Sequence, residues 1–376
     1  ELNGTGDAVL RCREAMAGCD EVMVLNGDCP LITDELLGRL RDVRIIRPLA
    51  FVSCAVADPG RLGRVLRDGA GDPVAIVEAA DYDGADGPAE INAGQYVFDA
   101  AWLWRTLPAV PVSARGEYYL THLVAMACEL GTPGATAPAD AIEALGVDDR
   151  LKLAEAETAM RRRVLDRHML AGVTISDPAT TYIDAAASIE TDVTILPNTH
   201  ILGRSAISTG AVIGPGTTLR NASIGDDTSV QNSVVEDSTI GARCAVGPFS
   251  HIRGGAVIGD DCQLGNYAEV KNSRVGPGVK MHHFSYMGDA DIGARANIAA
   301  GSITCNYDGE HKHRTTIGED AFIGCDTMLI APVTIGARAY TATGSVVTRD
   351  VAPGETVAGV PARPFQRRSP AEESSA

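Results

Sequence analysis

Branched aliphatic residues recur at every sixth position in the second half of the chain. Ile240, Val246, Ile252, Ile258, Leu264 and Val270 form one run. Ile317, Ile323, Leu329 and Ile335 form another, continued by Thr341 and Val347. Small or turn-forming residues follow many of them, as in Ile258-Gly259, Ile292-Gly293, Ile317-Gly318 and Ile335-Gly336. Neither the helical period of 3.6 nor the strand period of 2 accounts for the pattern as one long element. A hexapeptide beat predicts a parallel β-helix, in which each aliphatic side chain points inward and stacks on its counterpart one coil away. The beat starts weakly at Val173, runs to about Val351 and is expected to close at Pro353.

Residues 1–150 carry a different pattern. Short apolar runs at 21–25, 50–56, 74–77 and 95–98 predict strands, the first entering a turn at Asn26-Gly27-Asp28. Helical spacing over 33–43, with Thr33 as N-cap, and over 118–130, ended by Gly131, predicts two helices. Alternating strands and helices predict an α/β sheet whose ligands gather at the carboxyl ends of strands. No Gly or Pro interrupts residues 151–171, so a helical link is expected over 151–172. The β-helix is then expected over 173–366, followed by a Ser/Glu/Pro-rich tail, 367–376, read as disordered.

Composition narrows the function. The 376 residues suit two domains. Aromatics are 5% and glycines number 40, which favours repetitive β-structure with tight turns. A formal charge of -17 argues against a nucleic-acid-backbone binder, though not against a local phosphate pocket. No apolar run reaches membrane-span length and no signal peptide is visible, so membrane insertion is not expected. The nine Cys have no metal-ligand spacing and are read as reduced thiols of a cytoplasmic protein.

Four segments depart from plain repeat sequence: GPFSHIRG at 247–254, GNYAEVK at 265–271, KMHHFSYMGD at 280–289, and GSITCNYDG at 301–309. The last is followed by Glu310-His311-Lys312-His313, where the beat pauses. Residues one coil apart become neighbours in a β-helix. Arg253, Glu269, Lys271, His283 and Tyr286 are therefore expected to line one cleft. They offer cations for a phosphate, a carboxylate and a phenol for sugar hydroxyls, and an imidazole for proton removal. His251, His282, His311 and His313 are read as surface or structural histidines.

These segments, with HHFSYMGDADIGARANIAAGSITCNYDG and APVTIGARA, resemble the bacterial bifunctional N-acetylglucosamine-1-phosphate uridylyltransferase / glucosamine-1-phosphate N-acetyltransferase family. The resemblance covers all but the short tail. It implies a Rossmann-like nucleotidyltransferase domain followed by a left-handed β-helix that trimerises. It implies acetyl-CoA, glucosamine 1-phosphate and UTP as substrates, and Mg²⁺. By motif position His283 resembles the general base. Arg253, Lys271 and Lys312 match phosphate-binding cations, Tyr286 and Asn297 sugar contacts, and Glu269 and Asn306 polar residues supporting amine and base. Ala300, Asn306, Tyr307, Cys325 and Thr343 fall where the family places acetyl-CoA. In the first domain Gly4, Thr5, Gly63, Glu78, Asn92, Tyr119 and Thr121 match sugar-nucleotide positions, Gly4-Thr5-Gly6 as a uracil-side loop, and Asp28 and Asp148 the metal ligands.

The chain also departs from the family. Cys325 stands where Ser is frequent, Asp148 where Asn is usual, His122 where Asp is usual and Ala93 where Thr is usual. The late coenzyme-binding Arg has no clear match, with Arg363 or Arg367 as substitutes. The chain starts at Glu1, and the family's first strand, its glycine-rich loop, whose backbone N–H groups and cations cradle UTP phosphates, and the Lys of the following segment do not occur in it. The expectation is a fragment of a longer enzyme, retaining acetyl transfer and lacking uridylyl transfer. Three other readings stand beside this one: a single-activity sugar-phosphate acetyltransferase, a non-catalytic β-helical trimer, and a β-helical carbonic anhydrase with zinc-binding histidines. The last leaves CNYDG and the Arg253/Lys271 pair unexplained.

Overall fold

The computed structural model describes residues 3–84, 87–113 and 115–365. The tail 367–376, with Arg367, lies outside them. The chain splits into two compact units, Glu1–Met160 and Arg161–Ala376.

The first unit is a sheet with helices on it. Its strands are β1 (Glu21–Val24), β2 (Leu49–Val56), β3 (Arg64–Arg67), β4 (Pro73–Val77), β5 (Ala89–Asp99) and β6 (Ala135–Pro138). They run in the order β4-β3-β5-β2-β6, with β1 also on β5. The sheet is mixed: β2 and β6 pair in parallel, whereas β5 is antiparallel to β1, β2 and β3. Leu49 to Cys54 of β2 are buried without alternation, because both faces of this central strand are covered. Helix α1 is Thr5–Arg11 and helix α2 is Asp34–Arg44. On one face Leu36 and Leu40 of α2 pack on Ala50, Val52, Val97 and Ala137. Thr33 caps α2 as its pattern predicts, Oγ1 accepting from Leu36 N at 3.2 Å. On the other face Phe51, Tyr96 and Phe98 meet Leu103 of α3 (Ala100–Thr106) and Leu123 of α4 (His122–Glu129).

Two expectations need correction here. Thr5 opens α1 instead of lying in a loop. The helix predicted over 118–130 begins at His122, because the peptide groups before it are engaged elsewhere. Gly6 N donates to Tyr118 O, and Tyr118 N to Asn3 O, each at 2.8 Å. Helix α5 (Arg150–Leu170) occupies the expected link.

The second unit is a parallel β-helix of three sheets, with 12, 10 and 9 strands. Consecutive coils pair at offsets of 16 to 18 residues, as in Ser223 with Thr239, Val234 with His251 and Val246 with Leu264. The hexad beat visits the sheets in turn, so Ile240, Val246, Ile252 and Ile258 are all at least 98% buried. Corners demand left-handed backbone, which Asn and Asp tolerate better than most residues. Asn198, Asn221, Asp227, Asn232 and Asp261 all have φ between 44° and 62°. The first coil is wider, Thr174 pairing with Thr194, and one later coil breaks the rhythm on all three sheets: Ala290 pairs with Thr315, Asn297 with Phe322 and Ile303 with Met328, each 25 residues on, the surplus leaving the prism between Cys305 and Thr315. Pro353 does not close the domain. It sits in a turn, where its missing N–H is harmless, and Thr356–Ala358 adds a further strand beside Tyr340. Arg363–Pro364 then folds back antiparallel.

Candidate functional site

The 10-stranded sheet of the β-helix aligns Arg253 with Lys271, and Glu269 with His251 and Tyr286. Arg253 donates to Glu269 Oε1 through Nε at 3.1 Å and Nη2 at 2.5 Å. Arg253 is thus partly neutralised. Lys271 is not: the ammonium of Lys312, reaching in from the extruded segment, pushes the Lys271 pKa down, and Arg253 adds to the effect. Two ammonium groups held together, with Asp289 opposing only in part, form a place for a phosphate dianion. The Tyr286 hydroxyl accepts from Asn306 Nδ2 at 3.5 Å.

Asp289, beside this strip, is buried and carries no motif signal of its own. It is 5% exposed, and its carboxylate accepts from Asn306 Nδ2 and Asn272 Nδ2, both at 2.5 Å. It fixes the side chain of Asn306 at the root of the extruded segment. Its Gly288-Asp289-Ala290 setting puts a charged residue into a strand-to-strand corner with φ 51°. The segment itself is knotted by Asp308, which accepts from His311 N at 2.7 Å, Glu310 N at 2.8 Å and His313 Nε2 at 2.6 Å. Those bonds, the His311 N–H foremost, hold its carboxyl well below the usual range. Tyr307 is exposed on the segment and bridges Lys312 through the backbone.

His283 lies at the corner entering the 10-stranded sheet, exposed, two residues before Ser285–Gly288. Lys280, Asn297, Phe322 and Tyr340 are register partners on successive coils of the 12-stranded sheet. His283, Ala300, Cys325 and Thr343 each follow one of these by three positions, so they occupy the same corner on four coils. At a strand spacing of ~4.8 Å the column spans about 14 Å. Asn297 is the outlier. It projects from the 12-stranded sheet, not from the strip that carries Arg253 and Lys271. Arg363 stands exposed on the last strand, Nη1 donating to Ala362 O at 2.9 Å.

In the α/β unit a cavity of about 960 Å³ is lined by Thr5, Glu78, Asn92, Tyr119 and Thr121, among others. Thr121 Oγ1 donates to Glu78 Oε1 at 2.9 Å, and Thr5 Oγ1 accepts from Leu120 N at 3.0 Å. Alternation along one strand puts Asn92, Gly94 and Tyr96 at the same cavity, where the pairing with β2 shifts register between Phe51 and Ser53 and Gly94 has φ 84°. Gly63 does not line the cavity itself and meets it through Asn92, whose N–H donates to the Gly63 carbonyl at 2.9 Å. A Cβ on Gly4 would lie 2.6 Å from Tyr118 O, so that glycine is fixed by close approach. His122, where the family has Asp, packs edge-on to Tyr119 at 5.8 Å between ring centres.

Asp28 and Asp148 line a second cavity of about 1030 Å³. Val147 N donates to Asp28 O at 2.8 Å, which brings the two segments together. The carboxylate of Asp148 pairs with Lys152 Nζ at 2.8 Å and is held below its usual range by that contact. Among the described residues, no group of three or more His, Cys, Asp or Glu is placed to hold a metal. A pair of carboxylates still fits a cation that arrives with phosphate oxygens, which is how Mg²⁺ is commonly bound.

Comparison with known proteins decides the family. Residues 178–290 match the family described as GMPPB C-terminal domain, and residues 314–349 match the bacterial transferase hexapeptide (six repeats). The bifunctional protein GlmU of Heliobacterium modesticaldum is 43% identical over 360 residues, covering 94% of this chain and 79% of that protein. That of Corynebacterium glutamicum is 43% identical over 360 residues, covering 94% and 74%. That of an Anaeromyxobacter species is 45% identical over 337 residues, covering 89% and 69%. The chain belongs to the bifunctional GlmU family. The hexapeptide match and the three stacked sheets fit the left-handed β-helix form.

Proposed function

We infer that the two units divide the family's two activities between them. The chain is a transferase of the GlmU kind. Enzymes of this kind move an acetyl group from acetyl-CoA to glucosamine 1-phosphate, and a uridylyl group from UTP to N-acetylglucosamine 1-phosphate, giving UDP-N-acetylglucosamine; the second step draws on the glycine-rich UTP-cradling loop, which does not occur in this sequence. We assign acetyl transfer to the β-helix and uridylyl transfer to the α/β unit. The observation that carries the first assignment is the strip of Arg253, Lys271 and Lys312, cations without enough anion, beside the corner that starts with His283.

On this reading the sugar phosphate sits on Lys271, Lys312 and Arg253, with Glu269 and Tyr286 at its hydroxyls. His283 takes a proton from the amine as nitrogen attacks the thioester carbonyl. The N–C bond forms, the C–S bond breaks, and the proton returns to the coenzyme's sulfur. Asp289 holds Asn306 in position, and the corner column of Ala300, Cys325 and Thr343 takes the coenzyme. In the α/β unit Glu78, Asn92, Tyr119 and Thr121 hold the sugar, and Asp28 and Asp148 would hold Mg²⁺. The cation would neutralise phosphate charge, and Lys152 must release Asp148 for that. A homotrimer through the β-helix completes the reading, since the strip and the column both face outward from one prism. All nine cysteines are free thiols, which supports a reducing compartment. Among the described residues, no helix is long and apolar enough to cross a membrane.

The test is release of coenzyme thiol from acetyl-CoA. Glucosamine 1-phosphate should be a far better acceptor than glucosamine, by about 10²-fold or more, because the cations act only on the phosphate. Equal turnover of the two sugars would sink the assignment of Lys271 and Lys312.

A further inference from the structure

The two cavities of the α/β unit share a side chain that no motif singled out. Arg61 lines the cavity of Glu78, Asn92 and Thr121, and it also lines the cavity of Asp28 and Asp148. It sits on the turn between β2 and β3, which its neighbours fix. Gly60 N donates to Asp58 Oδ1 at 3.0 Å, Leu62 N to Pro59 O at 2.9 Å, and Gly60 has φ 49°. The other arginines of this stretch are engaged. Arg64 bonds Leu62 O at 2.9 Å and lies over Tyr82, and Arg67 grips Glu90. Among the described residues, Arg61 makes no hydrogen bond or ion pair.

The charge around it is lopsided. Asp28, Asp58, Asp148, Asp149 and Glu155 line the second cavity, against Lys152 and Arg61. Lys152 is already bound to Asp148. A sugar phosphate seated in the first cavity with its anionic end towards these carboxylates meets their repulsion, which the Mg²⁺ assigned to Asp28 and Asp148 relieves on one side and a protein cation on the shared rim would relieve on the other. A guanidinium presents several N–H donors in a planar fork that suits two phosphate oxygens.

Arg115 also lines the first cavity, but of the two only Arg61 lines both. We propose that Arg61 is a phosphate-recognising cation of the α/β unit, gripping the phosphate ester of a sugar 1-phosphate or its nucleotide diphosphate where the two cavities adjoin. This rests on the assignment of the first cavity to the sugar. It differs in kind from the motif residues, since it reads the anionic link and not the sugar.

The test is calorimetric titration of the full chain with N-acetylglucosamine 1-phosphate, UDP-N-acetylglucosamine and unphosphorylated N-acetylglucosamine. Arg61→Ala should weaken both phosphorylated ligands by about 10- to 100-fold, the scale of a charge-assisted hydrogen bond. It should leave the unphosphorylated sugar unchanged. Arg61→Lys should restore part of the loss, since it keeps the charge without the fork. An unshifted thermal midpoint shows that each variant is folded. Unchanged phosphate-ligand binding in Arg61→Ala, or equal loss for all three ligands, overturns the proposal while the sugar cavity stands. Failure of the unsubstituted chain to bind any of the three overturns both.

Discussion

The β-helix and the α/β unit solve the problem of assembling a site in opposite ways. In the β-helix, spatial neighbours lie one coil apart, so Arg253 and Lys271 meet at a spacing of 18 residues and Glu269 and Tyr286 at 17. In the α/β unit the same task needs long closures: Thr5 bonds Leu120 across 115 positions and Thr33 bonds Glu143 across 110. A repeat scaffold makes function a matter of counting along the chain. A mixed sheet hides it in topology. The price of counting is that every coil looks alike, and the residues that act must stand out as breaks in a pattern.

The largest test of that contrast is at the break itself. His283→Ala should cut acetyl transfer by about 10²- to 10⁴-fold, the usual range for a positioned general base. Acetyl-CoA affinity should hardly move. Steady-state kinetics with a separate binding titration reads both, and near-normal turnover would remove His283 from the role.

Next in size is the scaffold. Ile252→Ala, in a column with no exposed surface, should cost about 2 to 5 kcal/mol in unfolding of the β-helix. Because coils stack locally, the loss should spread to neighbouring coils, while the near-ultraviolet signal of Trp102 and Trp104 in the α/β unit keeps its own transition. Denaturant titration with both probes checks this, and one shared shift of both transitions would contradict the independence of the units.

A smaller effect is expected from the charged strip. Lys312→Met should raise KM for glucosamine 1-phosphate by about 10-fold, one charge-assisted contact, with kcat little changed. It should also let the Lys271 pKa rise towards its ordinary value, since the Lys312 ammonium is the main cause of its depression. A Lys titrating lower in the folded chain means that the unfolded chain binds more protons, so stability rises with pH through that window. In Lys312→Met that slope should flatten, which unfolding measured from pH 8 to 11 would reveal.

The smallest effect belongs to the mixed sheet. Arg67 at the end of β3 holds Glu90 of the neighbouring β5 and lowers its pKa. A depressed carboxylate contributes stability that is present above its unfolded pKa and lost as pH falls through the folded one. Arg67→Ala should therefore cost about 1 kcal/mol more at pH 7 than once Glu90 is protonated, the bonds of Arg67 to Gly71 O and Thr136 Oγ1 being lost at either pH. An equal cost at both pH values would mean that packing, not charge, is what Arg67 supplies.

The sequence made the strip of Arg253, Glu269, Lys271 and Tyr286 legible, because coil length converts spacing into contact. It did not reveal that Asn297 belongs to another sheet, since a hexad count alone does not say which face a residue leaves from. Asp289 and Arg61 escaped for different reasons. One acts through its neighbours, and the other gains its meaning only when a turn sets it between two cavities. Thr33 could be read as a cap from local chemistry, while Thr5 could not be read as opening a helix, because the bonds that fix that segment come from Tyr118 and Leu120, far along the chain. Pro353 misled because proline at a corner costs nothing, whereas proline in a strand would end it.

The extruded segment bears on how such an enzyme diversifies. After the surplus residues that carry Tyr307 and Lys312 leave the prism, Thr315, Phe322 and Met328 rejoin the same three ladders beside Ala290, Asn297 and Ile303. The detour does not disturb the registry above or below it. Its length is therefore a free variable for evolution and for engineering: a coil corner can accept a longer or differently charged graft, and so a new acceptor sugar, while the wall behind it goes on stacking as before.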